Sequence, residues 1–527
     1  MGILDIFKSK PQIPTVNVFE RLYPYQRDAV QTTTTNARGI VCMPTSVGKT
    51  FCQAAIIADD ILKNRKQFRM YVVNAPRIML SYQLLKEVYG FLMKEGVEAR
   101  YMFVHSGGKT DEKELEEVRL ASRDEEGQII PFAEIGSGTS VLGIRQMMEK
   151  AKAQKLPLIF FSTYNSAERI EEARLQTVKQ PISIVLNDEA HYLVQEQFHD
   201  ILRTLPSPRC YFFTATMIQT PSDKGRGMNN VELYGNVLYQ MLPIEAILLG
   251  KMIRPRLHFV TTEGVYNTDD YNKSLNKIIT DTFKQHEVVL SKTKQLPKVL
   301  VSAKGTQDIL NFLKSDEYKS LRAEGVDIYA VASTDEIGSD INGEKVRRQD
   351  FLKRLKIDGE DRTKRLIVLH YDILAEGIDV SGFTGIMPLR TLPKSKFLQT
   401  YGRAARPDKE DRKRIDNKEI SVNDLGKMNK PYSYIMIPNI IHSNEDDKAN
   451  MTQLITELRT YGFKPYEEIV SSSIVHGIPE IEEPKGENEI KVKIPNAGQI
   501  IEKLEAVVEA EADAKLSKMQ LLEKMFN

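Results

Sequence analysis

Cysteine is scarce and badly spaced for chemistry: Cys42, Cys52 and Cys210 are the only three in 527 residues, with no C-x-x-C pair and one left over from any pairing. Neither a disulfide framework nor a cysteine zinc site is suggested, and a reducing cytoplasm fits best. An excess of charge of one sign is also missing. Lys and Arg number 73 against 72 Asp and Glu, for a formal net charge of +1. The chain therefore has no polybasic coat for nucleic acid, although a local groove built from backbone N–H groups and a few side chains needs none. No stretch approaches the ~20 apolar residues of a membrane span. The opening Met1-Gly2-Ile3-Leu4-Asp5-Ile6 has neither a basic n-region nor a long apolar run, and Ile6 stands where a myristoylation signal has Ser or Thr. No nuclease cluster is visible in the tail, and no accessory nucleic-acid domain is recognisable. What is present, 41% hydrophobic and 28% charged residues, is an ordinary soluble composition, and 527 residues predict two large domains plus extras.

The chain is organised around Val41-Cys42-Met43-Pro44-Thr45-Ser46-Val47-Gly48-Lys49-Thr50. A short apolar run, Gly39-Ile40-Val41, reads as a buried strand before it, and Phe51 to Ala58 reads as a packed helix after it. Strand, loop and helix make a phosphate cradle: the helix N-terminus offers N–H groups, Lys49 a charge for the β- and γ-phosphates, and Thr50 a hydroxyl for magnesium. Met43 stands where the usual pattern begins with glycine. Taken alone, an ordinary strand-to-helix turn with a solvated Lys49 is the alternative, so the decision rests on whether the other parts of an ATP site occur downstream. Upstream, Gln26 begins a helix after Tyr23; its amide can bond an adenine edge or simply pack.

Further apolar runs at 70–74, 101–104, 158–161, 182–187 and 210–213 read as strands that alternate with helices up to about residue 240. The strand at 182–187 ends in Asp188-Glu189-Ala190-His191. Two carboxylates at a strand end, in the same domain as a phosphate loop, have a use: Asp188 can hold magnesium through water while Glu189 polarises the water that attacks the γ-phosphate. Residues 109–137 read as a charged surface insertion. The second half repeats the alternation with strands at 298–302, 326–330, 365–369, 385–389 and 432–437. Gln399 to Arg406 contains Arg403 and Arg406, three apart and so on one helical face, and residues 409–430 read as a basic and polar insertion. A helix around 449–461, a Glu- and Pro-rich linker (478–488) and a terminal helix from Ile500 to Met525 complete the chain. The last has one apolar face without strict heptads, which predicts a docking helix, open to a protein partner, with a short oligomerisation helix as the alternative.

Over residues 20–440 this set of motifs resembles the superfamily 2 helicases, with Asp188-Glu189-Ala190-His191 matching the DEAH box letter for letter. Tyr25-Gln26 is similar to the family's Gln motif, Met43 to Thr50 to motif I, Ala75-Pro76-Arg77 to motif Ia and Ser162-Thr163-Tyr164 to motif Ib. Thr214-Ala215-Thr216 is similar to motif III, Val301-Ser302-Ala303 to motif IV, Glu376-Gly377-Ile378-Asp379 to motif V and Gln399 to Arg406 to motif VI. The resemblance implies an α/β fold of two tandem RecA-like domains, each a mainly parallel sheet flanked by helices. It predicts a lead-in (1–19), an ATP-binding domain (20–242), a second helicase domain (243–470), and a linker with a C-terminal helix (471–527). It implies ATP and Mg2+ as cofactors, with Gln26, Thr45, Gly48, Lys49, Thr50, Gly377 and Asp379 around the nucleotide and Arg403 and Arg406 reaching its phosphates. Arg77, Gly107, Gly108 and Thr163 would touch the nucleic-acid backbone, and Thr214, Thr216 and Gln399 would couple the two events. Two departures stand out: Tyr371 occupies the place of a Thr that contacts nucleic acid in many relatives, and Ser46-Val47 replaces the common Gly-Ser of motif I. The segment 234–250 and the Arg-Ala-Ala-Arg-Pro ending of motif VI resemble DNA-acting relatives, of the type III restriction and phage recombination kind, more than RNA-acting ones.

Overall fold

The computed structural model describes residues 18–65, 67–105, 136–262, 271–291, 295–332, 336–371, 380–390, 394–440 and 468–472, with a few single positions between them. The chain divides into two compact units, one of Met1–Val41 with Gly48–Tyr239 and one of Cys42–Val47 with Gln240–Asn527.

The first unit is built on β1 (Arg38–Cys42), β2 (Met70–Ala75), β3 (Arg100–Val104), β4 (Gly136–Ser137), β5 (Leu158–Thr163), β6 (Ile184–Asn187), β7 (Cys210–Thr214) and β8 (Asn236–Gln240). They form one sheet in the order β4-β3-β5-β2-β6-β7-β1-β8. The pairs of β2 with β5 and β6, of β3 with β4 and β5, and of β6 with β7 are all parallel. β2 and β5 are buried at every residue. Their apolar runs are continuous because strands covered on both faces have no polar side to show. The helix Lys49–Lys63 buries Cys52, Ala54, Ala55, Ile56, Ile57 and Ile61, and Ser140 caps the helix Val141–Gln154 by accepting from Gly143 N.

The second unit contains β9 (Arg254–Thr262), β10 (Lys298–Ser302), β11 (Val326–Val331), β12 (Ser339–Ile341), β13 (Glu344–Lys345), β14 (Arg365–His370), β15 (Gly385–Pro388), β16 (Tyr432–Ile440) and β17 (Glu468–Ser472). Its order is β13-β12-β11-β14-β10-β15-β16-β9-β17, parallel except for the antiparallel run β11-β12-β13. The two parallel sheets with flanking helices are the α/β architecture expected from the sequence. The strand β9 was not expected, and neither were β8, β12, β13 and β17.

One reading of the second half changes. The helix Lys394–Ala404 stops two residues short of Arg406, because the residue before Pro407 is pushed out of the helical region. Arg403 and Arg406 therefore do not share a helical face. The 409–430 segment, read as a basic and polar insertion, holds a helix, Lys409–Asp416, whose Asp411 is fully buried. The predicted helix at 449–461, the linker and the terminal helix lie outside the described residues, as does nearly all of 109–137. Among the described residues no helix is long and apolar enough to cross a membrane.

Candidate nucleotide site

β1 leads into the phosphate loop, and the helix Lys49–Lys63 opens after Gly48, whose φ of 82° lies in the left-handed region. A Cβ there would fall 2.5 Å from Gln26 Nε2, the mobile end of a side chain that could shift, so it is the left-handed turn that favours glycine. Gln26 is buried; its Nε2 donates to Gly48 O at 3.4 Å and its Oε1 accepts from Tyr23 N at 3.0 Å. The Gln26 amide therefore lies against the loop, at Gly48. Thr50 is half-buried in the first helical turn.

The acidic pair follows β6. Asp188 is tied down on three sides: its N donates to Asn74 O at 2.8 Å, its O accepts from the Tyr164 hydroxyl at 2.6 Å, and its Oδ1 accepts from Gln53 Nε2 at 2.7 Å. Burial, and then the Glu189 carboxylate beside it, pushes the Asp188 carboxyl up to about 7, against the pull of Lys49. Glu189 adopts a left-handed backbone, φ 47°, a conformation uncommon for a residue with a side chain. That turn sets Glu189 Oε1 3.6 Å from Lys49 Nζ and Oε2 3.4 Å from His191 Nδ1. Lys49 and the Asp188-Glu189 pair, far apart in sequence, therefore meet at the carboxyl ends of the strands, where open α/β sheets bind ligands.

Thr214 joins this cluster from the end of β7. Its hydroxyl donates to Thr216 O at 2.8 Å and accepts from Thr216 N at 3.1 Å, and it lies 3.2 Å from His191 Nδ1. Since the one hydroxyl proton is committed to Thr216 O, the imidazole is the donor, which places a proton on Nδ1. The 191–214 contact links the DEAH turn to the Thr214-Ala215-Thr216 segment.

Magnesium is a hard cation that keeps several waters and takes one or two protein oxygens plus phosphate oxygens. The Asp188 carboxylate and the Thr50 hydroxyl are donors of that kind, and a single carboxylate suffices. No cluster of three or more His, Cys, Asp or Glu side chains that could hold a metal ion occurs among the described residues.

The remaining predicted residues fall as follows. Thr163 is buried at the end of β5, with its hydroxyl donating to Ser166 Oγ at 3.0 Å, whereas Arg77 is exposed just before the helix Ile78–Lys94. Thr45 is half-buried in the loop segment Cys42–Val47. Gln399 and Arg403 are buried in the second unit, in the helix Lys394–Ala404, and Arg406 is half-buried beyond it. Gly107, Gly108, Gly377 and Asp379 lie outside the described residues. Sequence reasoning missed Gln53, which orients Asp188. The signal was available: a lone amide in the run Cys52 to Ala58 must be buried with the helix, and a buried amide needs a partner.

A parallel sheet carrying the candidate loop and acidic turn, followed by a second, mainly parallel sheet, defines a tandem RecA-like fold. Residues 20–219 match the family model described as type III restriction enzyme, res subunit. No curated protein matches the chain. Among solved structures, the ATP-dependent type ISP restriction-modification enzyme LlaBIII bound to DNA is similar with a TM-score of 0.60 at 17% identity, over 86% of this chain and 31% of that one. A nuclease-deletion mutant of the type ISP enzyme LlaGI, in complex with a DNA substrate mimic, gives 0.51 at 18% identity, over 84% of this chain and 29% of that one. The chain spans about a third of the length of these two enzymes. Over residues 20–219 the chain is similar to that helicase-like family, and over most of its length it shares the fold of these enzymes.

Proposed function

We propose that the chain is a magnesium-dependent ATP hydrolase that moves along DNA and separates its strands. The observation that carries this reading is the meeting of Lys49, Asp188 and Glu189 at the end of one sheet, with Glu189 3.6 Å from the Lys49 ammonium. Magnesium, when bound, neutralises phosphate charge. Asp188, oriented by Gln53, would hold it together with the Thr50 hydroxyl. Lys49 would exchange its carboxylate partner for the β- and γ-phosphates, which frees Glu189 to take the proton of an attacking water. Arg406, with Arg403, would stabilise the charge that spreads over the transferring group. DNA is favoured as the polymer by the match to a restriction-enzyme family and by two structural neighbours described as DNA-bound.

The test is the ATPase rate of the full chain with single-stranded DNA, duplex DNA, RNA or no polymer, alongside a strand-separation assay. Stimulation by DNA with unwinding supports the reading. Stimulation by RNA alone would make the chain an RNA helicase, hydrolysis with DNA but without unwinding would make it a motor piece of a larger assembly, and indifference to every polymer would make it a nucleotide-dependent switch.

A further inference from the structure

Lys430 is 1% exposed and lies where the 409–430 segment returns to the sheet, just before β16. Its Nζ donates to two main-chain carbonyls, Ser381 at 2.8 Å and Arg406 at 2.7 Å. Ser381 comes two residues after the segment Glu376-Gly377-Ile378-Asp379, and Arg406 closes the segment that begins at Gln399. One side chain therefore ties the residue that ends one motif to a residue just beyond another.

The lysine's own backbone is fixed from the other side. Asp411, 0% exposed, accepts from Asn429 N at 2.9 Å and from Lys430 N at 2.8 Å. It sits in the helix Lys409–Asp416, which Asp408 caps by accepting from Glu410 N at 2.9 Å and Asp411 N at 3.3 Å. The far end of that helix is moored separately, through Asp416 to Lys251 Nζ at 2.6 Å. Burial pushes the Lys430 amine down to about 7, with Arg406 and Lys298 acting in the same direction and Asp408 and Asp411 against it. Either protonation state has the two N–H donors that the two carbonyls use. Placing an amine in such a dry position is costly, and a residue needed only to fill volume there would be apolar.

We propose that Lys430 is a positioning residue of the nucleotide site: by holding the Arg406 carbonyl against that of Ser381, it sets where the Arg406 guanidinium is presented. This rests on the reading of Arg406 as the arginine that acts on the γ-phosphate. The 409–430 segment is then a brace for that arginine, with Asp411 setting the brace's reach.

The experiment compares full-length Lys430→Met, Asp411→Asn, Lys251→Met and Arg406→Ala in steady-state ATPase assays with the stimulating polymer, and follows the folded fraction by circular dichroism. Lys430→Met should lower kcat about 10- to 100-fold, as a displaced catalytic group does, while KM for ATP stays within about twofold. Asp411→Asn, which keeps one acceptor oxygen, should show the same kcat-only loss to a smaller extent, and it decides the matter if Lys430→Met does not fold. Lys251→Met, which loosens the same segment away from Arg406, should keep kcat. The inference is overturned if Lys430→Met or Asp411→Asn turns over normally, if their losses only track unfolded protein, or if Lys251→Met loses as much. Normal turnover in Arg406→Ala would instead overturn the role given to Arg406.

Discussion

At the scale of single residues, the two adjacent carboxylates of the candidate site are held differently. Asp188 has its N, its O and its carboxylate all engaged, whereas Glu189 faces Lys49 at a distance that a bound phosphate would alter. Glu189→Gln should therefore keep ATP and polymer binding and lower kcat by on the order of 10²–10⁴, the usual contribution of a positioned base. Single-turnover hydrolysis beside equilibrium nucleotide binding checks this, and wild-type turnover in the variant would remove Glu189 from the mechanism. The Asp188-Glu189 pair was legible as a candidate because two adjacent carboxylates stand out at the end of an apolar run. The Gln53 amide that aims Asp188, and the Tyr164 hydroxyl that takes hold of its carbonyl, were not singled out, since each acts through a contact more than 20 residues away in sequence.

At the scale of elements, β9 and the helix Tyr271–Leu290 bring two histidines together inside the second unit. His258 and His286 are fully buried with ring centroids 6.0 Å apart, and Tyr434 lies 4.9 Å from His286. His286 Nε2 lies 2.9 Å from Thr384 Oγ1, whose own proton goes to Lys298 O, so Nε2 carries the hydrogen and Nδ1, which has no hydrogen-bond partner among the described residues, would have to take any further proton. Burial pushes His258 down to about 3 and His286 well below its ordinary value of 6.5. Because the folded values lie below the unfolded ones, this stability is complete above pH 6.5 and is lost as pH falls from 6.5 toward 3, at up to about 1.4 kcal/mol per pH unit for each histidine. Thermal unfolding followed from pH 7 to 4 should show His286→Gln, a neutral amide still able to donate to Thr384, losing stability less steeply than wild type. Parallel curves would show that His286 does not contribute. The histidine-bearing strand was hidden in the sequence: Arg254-Pro255-Arg256 opens β9 with charge and a proline, signals against an inner strand. β9 nonetheless pairs on both sides, with β16 and β17. The uninterrupted apolar strands β2, β5, β10 and β14 were legible because burial on both faces removes every reason for polar alternation.

At the scale of the whole molecule, the candidate site residues Asp188 and Thr214 lie at strand ends, and one connection between neighbouring strands is long. β3 and β4 run parallel, and 31 residues, 105–135, connect Val104 to Gly136. Deleting 114–134 would leave ten, with a reach of ~33 Å, ample to pass back along a five-residue strand of ~17 Å. The shortened protein should fold with an unchanged melting temperature and basal ATPase, and any change should appear in its preference among nucleic acids. A collapsed melting temperature would mean that the segment belongs to the core. The pair Thr163-Tyr164 carries a different consequence. Thr163, the proposed polymer contact, is bonded in sequence to the residue whose hydroxyl grips the Asp188 carbonyl at 2.6 Å. If the two ligands favour different placements of that pair, their affinities are thermodynamically linked, and linkage is reciprocal. Whatever factor the polymer imposes on the dissociation constant of the nucleotide, the nucleotide must impose on that of the polymer, so a chain that grips DNA more tightly with one nucleotide state must also hold that state more tightly while on DNA.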